Sequence, residues 1–258
     1  MIRAVKAKKH LGQHFLINEG IASDISNLIT ENQIKNVLEI GPGMGVLTKN
    51  LLKKSIKLKV VEIDSESINY LKTNYPEIEK NIINDDFLKL DLNNIFSSNF
   101  SIIGNFPYNI SSQILFKIYE NKDVVDEMVG MFQYEVAERI CSNFGSKKYG
   151  ILSVLIQAFF NVKLLKKIKP ESFNQIPKVY SAVIRITKKT NNINCDENLF
   201  KKIVKLSFGQ RRKTLWNSLK ALNIPQIKKE DTIFAKRPEQ LSVADFIYLT
   251  NLVSNENI

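Results

Sequence analysis

Apolar and polar positions change rhythm partway along this chain. Over the first half, short β-rich apolar runs alternate with segments of helical spacing. Val37 to Ile40 reads as a strand ending in a glycine turn, and Val46 to Lys54 follows with helical periodicity. Leu58 to Ile63 is a second strand, succeeded by a helix from Glu66 to Asn74. Further short strands fall at Asn81–Ile83 and Ser101–Ile103, and a helix runs from Ser111 to Tyr119 with Ser111 or Asn109 as its cap. Val124 to Phe132 has the continuity of a buried strand, and Glu135 to Ser142 returns to helical spacing. This βαβα alternation predicts an α/β fold, a parallel doubly wound sheet that binds ligands at the carboxyl ends of its strands. The polar stretch Lys188 to Cys195 reads as a linker. Beyond it Leu199, Ile203 and Leu206, then Leu215 and Leu219, then Phe246, Leu249 and Val253 keep helical spacing. The expected organisation is a sheet domain over 1–188 and a small all-helical domain over 196–258.

Composition narrows the partners. The 258 residues are 44% apolar, enough for a packed core, and carry a formal charge of +11. Such an excess suits a polyanion, because Lys and Arg neutralise phosphates and release counterions. An ordinary lysine-rich composition explains the same number, so charge alone leaves both readings open. More than half of the excess lies in 188–258. Cys141 and Cys195 are far apart and read as reduced thiols of a cytoplasmic protein. His10 and His14 have no clustered carboxylate or thiol, so no metal site is expected. No apolar run approaches the ~18–20 residues of a membrane span. The basic opening stretch lacks the apolar core of a secretory signal.

Candidate chemistry starts at Gly41-Pro-Gly43-Met-Gly45, between the first strand and its helix. Glycines allow a tight turn and close approach of backbone to ligand. Alone the pattern is also that of a plain strand-to-helix turn. Glu62, 21 residues after Gly41 at the end of the second strand, adds a carboxylate that can accept from both hydroxyls of a ribose. Asp86, after the third strand, can accept from an adenine amino group, or serve as a solvated turn acid. Pro42 and Glu39 suit a cationic, phosphate-free nucleoside better than a pyrophosphate. S-adenosyl-L-methionine is such a ligand.

Asn105-Phe106-Pro107-Tyr108 follows the fourth strand, and its four letters alone fit a plain Asn-x-Pro turn as well as a catalytic one. An adenine amino nitrogen is a poor nucleophile because its lone pair is delocalised into the ring. Two acceptors on its N–H groups favour a pyramidal nitrogen; the Asn105 side-chain oxygen and the Phe106 carbonyl can be those two. Pro107 stiffens the turn, and Tyr108 can stack on the base, a contact worth roughly 1–3 kcal/mol. Positioning and electrostatics supply the rate, and no general base is required. The base must leave its stack, which costs least in an unpaired loop.

With these motifs the chain resembles the ribosomal RNA adenine N6-dimethyltransferase family, in its small-subunit, kasugamycin-resistance branch. The likeness runs through Lys8–Leu16, Val37–Gly43, Val61–Asp64, Gly104–Ser111, Gln133–Ala137, Tyr149–Val154, Pro177–Val179 and Phe208–Leu215. It implies a Rossmann-like methyltransferase sheet and a cofactor pocket at His14, Leu16, Gly41, Gly43, Glu62, Asp86 and Asn105. It implies two methyl transfers to each of two adjacent adenosines near the 3′ end of small-subunit ribosomal RNA. It further implies a helical C-terminal domain that seats the chain, as a monomer, on an immature small subunit. Phe173 is the candidate for the second face of a base sandwich, and reads equally as a core aromatic. Arg211, Arg212 and Lys213, opening a helix, read alone as a solvated helix face and, joined with Lys6, Lys8 and Lys9, as a candidate RNA-facing surface. Three positions depart from the family pattern: His14 stands where Asn is frequent, Phe106 where Leu or Ile is usual, and the loop around Phe173 lacks a proline.

Three other readings compete. A large-subunit methyltransferase of the macrolide-resistance type shares the cofactor and Asn-x-Pro-Tyr motifs. DNA adenine methyltransferases usually carry Asp where Asn105 stands. A ribosome assembly factor could retain the fold without the reaction.

Overall fold

The computed structural model describes residues 5–29, 35–224 and 230–254. A short helix α1 (Glu19–Ser26) begins at Asn18, whose side chain accepts from the Ile21 N–H at 3.0 Å. Strands β1 (Asn36–Ile40), β2 (Lys57–Glu62), β3 (Ile82–Asn84) and β4 (Phe100–Asn105) alternate with α2 (Thr48–Leu51) and α3 (Ser65–Asn74). Helix α4 (Ser111–Glu120), β5 (Val125–Gln133), α5 (Tyr134–Cys141), α6 (Ile151–Phe159), β6 (Phe160–Ile168) and β7 (Ser181–Lys188) complete the α/β part. The sheet order is β3-β2-β1-β4-β5-β7-β6.

Neighbours from β3 to β5 run parallel, and β7 returns antiparallel to β5. The sheet is therefore mixed where the sequence predicts it parallel. Strand β7 carries Arg185, which donates to the buried Glu127 of β5 at 2.6 Å, while Ser101 of β4 donates to the same carboxylate at 3.1 Å. A buried carboxylate left unpaired is strongly destabilising, so this pairing favours one register for β7.

Strand β1 is buried along its whole length, and β4 as far as Gly104. Leu38, Ile102 and Ile103 are fully enclosed, and each such side chain stabilises the fold by about 1.5–3 kcal/mol. Connection order reverses at β1, which lies between β2 and β4. A crevice opens at such a point beyond the carboxyl ends of the strands. The glycine turn after β1 and the Asn105 turn after β4 thus emerge side by side; Glu39 pairs with Ile103 two positions before Asn105.

The chain divides into two compact units, residues 1–137 with 162–188, and residues 138–161 with 189–258. The second takes in the segment 138–161, which the sequence reading assigned to the sheet domain. Its helices are α6, α7 (Glu197–Gly209), α8 (Leu215–Ser218) and α9 (Val243–Ser254). Asp196 caps α7 by accepting from the Asn198 and Leu199 N–H groups at 2.8 and 2.9 Å. Tyr149, Phe208 and Phe246 form an aromatic chain with centroids about 6 Å apart inside this unit.

Candidate active site

Gly41, Gly43 and Gly45 have φ of +62°, +56° and +77°. A Cβ on Gly43 would fall 2.6 Å from the Phe15 ring, and one on Gly45 2.5 Å from the Tyr75 ring. A Cβ on Gly41 would meet nothing within 4 Å, so there only the backbone conformation demands glycine. The turn is tied to the next strand twice. Gly41 N–H donates to the Val61 carbonyl at 2.9 Å, and Gly43 N–H to Glu62 Oε2 at 3.1 Å. Glu62 Oε1 accepts from the Ile63 and Asp64 N–H groups, each at 2.9 Å. Burial pushes this carboxyl above the ordinary range, against the pull of its three backbone donors. Of its roughly four acceptor positions three are used, and the remaining one is on Oε2.

Asn105 ends β4 with a defined orientation. Its Nδ2 donates to the His14 carbonyl at 2.7 Å, which leaves Oδ1 as the acceptor end. The turn that follows is braced by Phe106 N–H on the Met131 carbonyl at 3.2 Å and by Ser111 Oγ on the Pro107 and Tyr108 carbonyls, both at 3.1 Å. The Phe106 ring is 1% exposed and lies over two glycines. A Cβ on Gly104 would approach it to 2.6 Å and one on Gly130 to 2.1 Å. Larger than the usual Leu or Ile, the ring fits because β4 and β5 both lack a side chain beneath it.

The segment before α1 crosses the crevice. Lys8 Nζ meets Asp64 Oδ1 at 2.5 Å, and Gln13 Nε2 donates to Oδ2 of the same carboxylate at 3.4 Å. Burial works to raise the Asp64 pKa, but Lys8, Ser67 and Gln13 outweigh it and hold the carboxyl below its ordinary value. The His14 ring stacks on Tyr108 with centroids 4.9 Å apart, and its Nδ1 lies 2.9 Å from the Gln175 carbonyl. Tyr108 in turn shares a short hydrogen bond with Ser181. Lys9's side chain lies outside the described residues.

Strap, glycine turn and Asn105 turn enclose a cavity of about 200 Å³. Of the residues expected in the cofactor pocket, His14, Gly41, Gly43, Glu62, Asp86 and Asn105 line it, and so does Pro107. Leu16 instead faces an adjoining hollow of about 30 Å³ shared with Glu39, Gly41 and Asn105. A larger hollow of about 710 Å³ lies at the amino ends of the strands, around Asn36, Lys57 and Leu58, the end that α/β sheets do not use for ligands. Sequence reasoning missed Gln13, Phe15, Phe87 and Asn109 as lining residues. Gly12 was the available signal: its φ is +65° and a Cβ there would strike Asn109 at 2.3 Å.

Two expectations need correction. Phe173 is 1% exposed and its backbone bridges Leu16; a ring so enclosed offers no face to a base, and it belongs to the core. Arg211, Arg212 and Lys213 do not open a helix but occupy the turn between α7 and α8. Gly209 ends the first helix, and the Lys213 N–H bonds back to the Gln210 carbonyl at 2.8 Å. Arg212 and Lys213 are exposed there, while Arg211 donates to the Ser146 carbonyl at 3.2 Å and lies 3.8 Å from Glu239.

Among the described residues neither Lys nor Arg lines the 200 Å³ cavity, whereas Glu62, Asp85 and Asp86 do. In a chain of net charge +11 this anionic, phosphate-averse lining suits a cationic nucleoside. Such a pocket at the switch point of a doubly wound sheet, abutting an oriented Asn amide, defines a Rossmann-like nucleoside-cofactor methyltransferase. The chain belongs to the ribosomal RNA adenine dimethylase family, whose model matches residues 4–252, and S-adenosyl-L-methionine is its methyl donor. Ribosomal RNA small subunit methyltransferase A of Flavobacterium johnsoniae is 53% identical over 256 residues, 98% of each chain. The protein of the same name from Bacteroides fragilis is 53% identical over 257 residues, 98% of this chain and 94% of that one. Among solved structures, a dimethyladenosine transferase from Plasmodium falciparum superposes with a TM-score of 0.81 at 27% identity, covering 95% of this chain and 99% of its own. The 23S rRNA methyltransferase ErmE shares the fold, with a TM-score of 0.70 at 23% identity over 92% of this chain and 99% of its own.

Proposed function

We propose that this chain dimethylates the N6 nitrogens of two adjacent adenosines in an unpaired loop near the 3′ end of small-subunit ribosomal RNA. It does so as a cytoplasmic monomer acting on an immature subunit. When bound, S-adenosyl-L-methionine supplies a methyl carbon activated by its sulfonium. Glu62 would hold the ribose through its open Oε2 position and Asp86 the adenine amino group, with Phe87 beside it.

The observation that carries the reading is the Asn105 amide. One N–H of its nitrogen is engaged by the His14 carbonyl, which sets the amide so that its oxygen would serve as an acceptor for the substrate. With the Phe106 carbonyl as second acceptor, both N–H bonds of an adenine amine are held and its lone pair is turned toward the cofactor pocket. Tyr108 would stack the base on the ring face opposite His14. The relatives at 53% identity bear small-subunit names, which supports that target over the large subunit.

Asn105→Ala tests the reading. Methyl transfer to unmodified small-subunit particles should fall by at least about two orders of magnitude while RNA binding stays near the parent value. Transfer at the parent rate would remove Asn105 from its role. Robust transfer to large-subunit RNA instead of small-subunit particles would shift the target.

A further inference from the structure

Beside the site, where β5 ends and β7 begins, two tyrosines hold a lysine. The Tyr134 N–H donates to the Tyr180 carbonyl at 2.8 Å. Lys167, near the end of the edge strand β6, places its ammonium 4.4 Å from the Tyr134 ring centroid and 4.2 Å from that of Tyr180. Edge strands are commonly guarded by lysines. Lys166 fits that use, paired with Asp24 at 2.6 Å. Lys167 differs, being exposed and without an ion-pair partner among the described residues. Tyr180 is 45% exposed.

We infer that Tyr134, Lys167 and Tyr180 form a clamp for the RNA strand flanking the target adenosine, Tyr180 stacking a neighbouring base and Lys167 meeting a phosphate. The inference rests on the RNA methyltransferase reading above. Continuity with the site supports it: Tyr180 is followed directly by Ser181, whose hydroxyl bonds Tyr108 in the substrate turn. Extruding one base robs its neighbour of a stacking partner, and an exposed tyrosine ring restores one. Charge is complementary as well. Lys163, Lys167, Lys169 and Lys178 are exposed on these segments, against Glu135 and Glu171. The two rings hold the ammonium by cation–π attraction and leave its outward N–H groups for an anion.

The test uses the full chain with Tyr180→Ala, Tyr180→Phe and Lys167→Gln, and small-subunit particles from cells lacking the modification. Tyr180→Ala should raise the KM for particles by roughly fivefold to a hundredfold, with kcat and calorimetric cofactor affinity near the parent values. Tyr180→Phe keeps a ring and should behave as the parent. Lys167→Gln should flatten the slope of log affinity against log salt by roughly 0.7, the loss of one phosphate contact to a single strand. If the parent is active and the Ala and Gln variants match it in KM and salt slope, the clamp is wrong and the reading stands. If Tyr180→Ala changes cofactor affinity as strongly as KM, its role is structural and the clamp is again wrong. A parent that methylates no such particle removes the reading and the clamp together.

Discussion

At the scale of single residues, burial raises the pKa of two carboxyls at the crevice. Glu39 is fully enclosed and accepts from Thr48 Oγ1 at 2.7 Å. Burial, helped by nearby Glu62, pushes its pKa from 4.5 up to about 8. The folded chain therefore keeps this proton where the unfolded chain releases it. The resulting stabilisation is complete below the unfolded value of 4.5 and is lost as pH rises through about 8. Glu39→Gln cannot ionise, so its thermal midpoint should gain on the parent by a few degrees between about pH 5 and about pH 9. A constant difference across that range would place a solvated, ionised group at Glu39. Glu62→Ala removes an acceptor from the cofactor pocket and should weaken S-adenosyl-L-methionine binding by about ten- to a hundredfold; calorimetry showing parent affinity would take Glu62 out of the site. Both carboxyls were legible in sequence because each ends or nearly ends a strand beside the glycine turn. Phe173 was not, since an aromatic in a polar loop looks the same whether its ring is exposed or, as here, buried.

At the scale of elements, the fit of β4 and β5 around one ring sets the substrate turn. Gly130→Ala should destabilise the protein by about 1–3 kcal/mol through overpacking and lower turnover more than cofactor affinity, because Phe106 carries the turn. Adding Phe106→Leu should recover stability in a double-mutant cycle; strictly additive losses would show that the ring does not transmit the strain. The alternation of strand and helix up to β5 could be read directly, as each apolar run is bounded by turn residues. Helix α2 proved shorter than its apolar spacing, and α6, β6 and β7 went unread. Strand β6 carries a run of exposed lysines and leucines with no alternation, and its edge position explains the missing pattern. The direction of β7 is decided by its pairing with β5 and the Glu127–Arg185 contact, neither of which a local pattern reveals.

At the scale of the molecule, charge is sorted by task. Among the described residues the 200 Å³ cavity is lined by carboxylates and by no Lys or Arg, while the whole chain carries +11. RNA affinity should therefore fall steeply with salt and cofactor affinity hardly at all, a contrast that titrations at two ionic strengths would check. No helix among the described residues is long and apolar enough to cross a membrane. The net charge was plain from composition; which side chains share the cavity wall was not, because the lining comes from segments as distant as His14 and Asn105.

The bond from the Asn105 amide to the His14 carbonyl ties the turn proposed to hold the substrate to the front of the chain across 91 positions. A protease that clips the strap ahead of Leu16 would leave the sheet standing but free the amide to rotate. The nicked protein would still recognise ribosomal particles while turning over poorly. Preparations of equal purity on a coarse gel could then differ widely in specific activity.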